Sequence, residues 1–149
     1  MPLRAPVVEL SPEGAALLGR AYWREVERFT RGLVRPDEHP GGLDLRLCSR
    51  VRLLRFGRPE LEAAGDTVTC RYPIVGGLLA RAPGGSISFV QRGGAEPELS
   101  STIAGFHPRL AARPGRPDWT GALYAHVQAR VHRAVGRRYF ERLGREGLS

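Results

Sequence analysis

Two Gly-Gly pairs, Gly76-Gly77 and Gly84-Gly85, lie within ten residues in the apolar stretch Tyr72-Pro73-Ile74-Val75-Gly76-Gly77-Leu78-Leu79-Ala80-Arg81-Ala82-Pro83-Gly84-Gly85. Glycines so close together raise the chemistry of phosphate binding, which needs a strand, a glycine-rich turn and a helix whose N-terminus receives the anion. Neither pair is followed by a lysine or by room for that helix: Pro83 closes the first segment, and Ser86-Ile87-Ser88-Phe89-Val90 after the second alternates as a strand. The glycines are therefore expected to bend or turn a sheet. Other reactive types fare no better. Cys70 lies between Thr69 and Arg71 and reads as a buried structural thiol rather than an arginine-activated thiolate. His107 precedes Pro108, as a loop residue or a proton carrier. Asp37-Glu38-His39 groups two acids with a base, but Pro36 and Pro40 bracket it as a surface turn. Glu60 with Glu62 and Glu96 with Glu98 sit in polar, turn-rich segments that they serve to solvate. The chain contains no G-x-S-x-G, H-E-x-x-H or kinase signature. Two cysteines, Cys48 and Cys70, and four scattered histidines give no zinc spacing. No catalytic residue, metal or cofactor is expected.

The elements that position these residues must come from 149 residues, a length that suits a single domain over 1–149. Hydrophobic residues make up 42% and charged residues 26%, as in an ordinary globular protein. No apolar run approaches the roughly 20 residues that span a bilayer, and no leader pattern opens the chain. The expected compartment is thus the cytoplasm, with reduced thiols. The formal charge is +8, and all 23 basic residues are arginine. Residues 107–149 hold 9 of these against 3 acids, so most of the excess lies at the C-terminal end.

Ser11-Pro12-Glu13 has the cap, first-turn proline and acid of a helix start, and Leu18, Tyr22, Val26 and Phe29 form an apolar stripe that stops near Gly32. Pro6-Val7-Val8-Glu9-Leu10 before it reads as a short strand. Beyond Gly32 the period falls to two, at Leu43/Leu45/Leu47, Val51/Leu53, Val68/Cys70/Tyr72/Ile74, Ile87/Phe89 and Leu99/Ser101/Ile103. One wet and one dry face predicts antiparallel pairing. A last helix is predicted from Asp118 to about Arg142, with Trp119, Leu123, Val127, Val131, Val135, Tyr139 and Leu143 recurring every fourth residue. Such a stripe drifts around the helix and suits a rod laid across a twisted sheet. Another of its faces carries His126, Arg130, Arg133 and Arg137, with Arg138 in a neighbouring row, and His132 falls near the outer side. That basic face is either simply solvated or a surface for an anionic partner such as lipid headgroups, nucleic acid or an acidic protein.

Strand, helix, about six antiparallel strands and a long final helix is an order that resembles the START-like, polyketide-cyclase-like (SRPBCC) superfamily of helix-grip proteins. The resemblance implies an α+β fold in which a curved antiparallel sheet of six to seven strands wraps the C-terminal helix. It also implies a cavity between them for a hydrophobic small molecule or lipid. By patterning, Tyr72, Ile74, Phe89, Ile103, Trp119, Leu123 and Val127 face that gap, and Tyr124, His126 and Arg71 are the polar groups placed to orient a ligand. The rival expectation is an interaction module that uses Arg130, Arg133, Arg137 and Arg138 on an anionic surface, with nucleic acid the less favoured partner.

Overall fold

The first helix begins where its cap demands. In the computed structural model, which describes residues 2–3, 6–79, 84–104 and 118–146, Ser11 is extended and its Oγ accepts a hydrogen bond from the Gly14 N–H at 3.0 Å. With Pro12 in the first turn, this satisfies donors that the helix leaves open. Helix α1 spans Pro12–Phe29 and ends in a Schellman arrangement: the Gly32 N–H donates to Glu27 and the Arg31 N–H to Arg28. Arg31, at φ 54°, holds the left-handed position usually given to glycine.

The expected opening strand is absent. Residues 6–10 form bends, and their backbone is held by a side chain: the Val7 and Val8 N–H groups donate to Gln91 Oε1 at 2.7 and 3.1 Å, and Gln91 Nε2 donates to the Val8 carbonyl at 2.9 Å. A single bridge, Pro2 to Glu98, is the strand-like contact of this end among the described residues.

Seven antiparallel strands follow: β1 (Val34–His39), β2 (Gly42–Leu47), β3 (Val51–Phe56), β4 (Glu60–Ala64), β5 (Thr67–Gly76), β6 (Ser86–Arg92) and β7 (Glu98–Ala104). They form one curved sheet in the order β1-β2-β3-β5-β6-β7, with β4 also paired to β5. Strands β3 and β4 share one edge of β5. Phe56 pairs with Ile74 and Arg55 with Gly76 at one end, and Glu60 to Ala64 pair with Arg71 to Thr67 at the other. Two sequence readings are corrected here. The Asp37-Glu38-His39 group lies in β1 rather than in a turn, and Glu60 and Glu62 lie in β4. Pro36 is compatible with β1 because an edge strand can leave a missing N–H on its open side. Gly77 answers the glycine question. At φ 110° it lies so close to β3 that a Cβ would stand 2.6 Å from Leu54 Cα. Leu78 and Leu79 then donate to the Arg52 and Leu53 carbonyls, returning the chain to the sheet rather than opening a helix.

Helix α1 lies over the inner face of the sheet and touches β1, β4, β5 and β6. Ala15, Leu18, Tyr22, Trp23 and Val26 are buried there against Phe56, Cys70, Tyr72 and Phe89. Helix α2 spans Asp118–Glu146, and its side chains are described from 130 to 145. Over that part Val135, Tyr139 and Leu143 are buried as the four-residue spacing requires. The Tyr139 hydroxyl donates to the Leu18 carbonyl at 3.0 Å, and its ring meets Phe89 at 5.8 Å between centroids. Buried Glu25 on α1 receives Arg142 Nε at 2.9 Å. Among the described residues no helix is long and apolar enough to cross a membrane.

Candidate functional site

Alternation along the strands sends one set of side chains toward the helices. At the end of the sheet where β3 meets β5, these side chains do not fill the space beneath α1 and α2. They leave a cavity of about 260 Å³. Its sheet wall is Val34, Leu45, Leu53, Leu54, Phe56, Ile74, Leu79, Ile87 and Ile103. Tyr22, Trp23, Val26 and Thr30 of α1 and Val131, His132 and Val135 of α2 complete it. Ile103 and Val131 are 37% and 40% exposed, which places the mouth between β7 and α2.

The lining is almost wholly hydrocarbon. Thr30 is committed to the helix end, where its hydroxyl donates to Val26 and accepts from the Val34 N–H. Besides the Trp23 indole N–H, which is buried without a hydrogen-bond partner among the described residues, the polar groups are Tyr22 and His132, whose hydroxyl and Nδ1 share a hydrogen bond of 2.9 Å across the two helices. Burial holds the His132 pKa below that of an ordinary imidazole and the Tyr22 phenol well above its usual range. Near neutral pH both are therefore uncharged, and the cavity wall carries a polar point without a charge.

Of the residues expected at the gap, Ile74 and Ile103 line the cavity. Phe89 does not: it is fully buried in the aromatic cluster with Tyr22 and Tyr139. Tyr72 is also buried, beneath α1, where a Cβ on Gly19 would stand 2.7 Å from its hydroxyl. Arg71 points to the outer face, bonded to Ser86 Oγ and Glu60, and does not orient a ligand. The side chains of Trp119, Leu123, Tyr124, His126 and Val127 lie outside the described residues, as does His107. His132 corrects the sequence reading, because it turns inward to Tyr22 rather than outward. Trp23 was missed as well. It follows Tyr22 on a helix covered on two sides, so its buried face is wider than a single stripe. The arginines Arg130, Arg133, Arg137 and Arg138 are exposed, and Arg138 stacks over the Phe29 ring at 5.1 Å.

The groupings with catalytic appeal resolve into structural pairs. Asp37 meets Arg46 at 3.2 Å, Glu38 meets Arg20 at 3.8 Å, and His39 meets buried Asp44 at 3.3 Å. Burial pushes the Cys70 thiol up to about 12, which removes the thiolate at neutral pH. Among the described residues no cluster of three or more His, Cys, Asp or Glu side chains is placed to hold a metal ion. Comparison of the chain with protein-family models, with curated proteins and with solved structures gives no match.

Proposed function

We propose that this protein binds a small hydrophobic molecule in the cavity between α1, α2 and the sheet, in the manner of helix-grip proteins. The observation that carries the reading is the cavity itself: about 260 Å³ lined by aliphatic and aromatic side chains, with one uncharged polar pair. Ligand sites are typically concave and apolar with a few polar groups that fix orientation. A dry cavity of about 150 Å³ takes benzene. By proportion this one suits about ten non-hydrogen atoms, a substituted ring or a short lipid rather than a full phospholipid. Saturation-transfer NMR with ethylbenzene tests the reading. Transfer is expected in the wild type and is expected to vanish in Val131→Trp, which plugs the mouth from a half-exposed position and leaves the core intact. A wild type that shows no transfer overturns the proposal.

The exposed basic residues support a second reading, an anionic surface as partner. It expects salt-sensitive pelleting with anionic vesicles, lost in Arg130→Glu/Arg137→Glu. A double variant that pellets like the wild type removes it, and in either case ethylbenzene transfer is unchanged.

A further inference from the structure

The cavity's one polar pair has a direction, and that direction selects the chemistry of the occupant. Tyr22 keeps its proton, and His132 is the hydrogen-bond partner of its hydroxyl among the described residues. A neutral imidazole carries its proton on one nitrogen alone. If that were Nδ1, it would donate to the phenol oxygen and leave the buried Tyr22 O–H without an acceptor, an expensive arrangement. The opposite arrangement moves the open donor to the more accessible ring: Tyr22, only 4% exposed, donates to Nδ1, and the imidazole proton sits on Nε2 of half-buried His132. That nitrogen has no hydrogen-bond partner among the described residues, and His132 lines the cavity.

We infer that His132 Nε2–H, fixed by the Tyr22 hydroxyl, is a hydrogen-bond donor that selects an uncharged ligand bearing an acceptor oxygen, a ketone, aldehyde, ester or ether on a small apolar skeleton. This inference rests on the binding reading above and sharpens it. A carboxylate ligand finds no cation among the described lining residues to offset its desolvation. A pure hydrocarbon fills the space but leaves the donor unpaired. A carbonyl compound does both jobs, apolar filling and pairing of Nε2–H.

Acetophenone and α-methylstyrene have the same size and shape and differ in C=O against C=CH2. Their Kd values are measured for the wild type, His132→Leu and Tyr22→Phe by ligand-observed NMR. The alkene gains more from leaving water, so the decisive quantity is the ketone-to-alkene affinity ratio, which cancels this gain between variants. His132→Leu is expected to lower that ratio by roughly three- to ten-fold, the range of one neutral hydrogen bond, while alkene binding persists. Tyr22→Phe frees the tautomer and is expected to lower it by a smaller factor. The infrared carbonyl stretch of bound acetophenone gives an independent readout. It is expected at lower wavenumber in the wild type and to move back in His132→Leu. An unchanged ratio with an unshifted carbonyl overturns the donor assignment while leaving the cavity reading in place. If neither probe binds the wild type, it is the binding reading that fails. Benzoate, similar in size but anionic, is expected not to bind, and benzoate binding as tight as the ketone's would also overturn the inference.

Discussion

At the residue scale, burial decides which groups keep their reactivity. Cys48 is exposed in the β2–β3 turn, and Cys70 is buried under α1 with its thiol pushed up to about 12. A thiol reagent such as Ellman's is expected to label one cysteine rapidly in the folded protein and the second only on unfolding. Cys48→Ser should then abolish the fast phase, and fast labelling in that variant would contradict the buried placement. His132 makes a pH prediction. Unfolded, it takes up a proton near pH 6.5, whereas burial lowers the value in the folded chain. Below pH 6.5 the unfolded state therefore binds more protons, and stability falls with falling pH through that window. The urea midpoint should drop between about pH 7.5 and about pH 5 by more in the wild type than in His132→Gln, since other groups titrate alike in both. Equal drops would show His132 to be solvated. No pattern in the chain marks this residue as inward-facing. Its neighbour Val131 belongs to the apolar stripe, but which side of that stripe turns inward depends on where α1 lies, and this is a matter of tertiary packing.

At the element scale, local chemistry and patterning were legible together. Ser11-Pro12-Glu13 caps α1 as its residue types require, and the two-residue alternation located β2, β3, β5, β6 and β7. Strands β1 and β4 were not legible because they lie at edges, where Asp37, Glu38, Glu60 and Glu62 face water and obscure the alternation. The stub at Val7-Val8 was misread for the opposite reason: its apolar residues are buried, but their backbone partner is the Gln91 side chain, which no strand pattern can show. The two glycine roles separate cleanly by substitution. Gly77→Ala puts a Cβ against the β3 backbone at a positive φ, and is expected to cost about 2–3 kcal/mol. Gly136 lies within α2, where an added Cβ meets nothing within 4 Å among the described residues, so Gly136→Ala is expected to stabilise the protein by about 0.5–1 kcal/mol. Chemical denaturation of the two variants checks both signs, and a destabilising Gly136→Ala would mean that the helix needs its flexibility there.

At the scale of the whole molecule, the α+β class and the curved antiparallel sheet followed from the order of elements, while the central place of α1 did not. Periodicity marks a buried face without saying what buries it, and here α1 is covered by the sheet on one side and by α2 on another. The way β3 and β4 divide one edge of β5 has a mechanical consequence. The β1–β3 hairpins join the rest of the sheet through two residue pairs at β3–β5, the Gly57 N–H to Pro73 carbonyl bond beside them and the short return at Leu78-Leu79, whereas β5 and β6 are matched along seven pairs. Deuterium should therefore enter β1 and β2 well before β5 and β6 in a native-state exchange experiment, and uniform protection across the sheet would refute this division. The weakly attached leaf also carries Val34, Leu45, Leu53, Leu54 and Phe56 into the cavity wall. A guest seated there would act as a clasp across the seam, and its grip would be read as slower deuteration of a leaf whose own backbone it never touches.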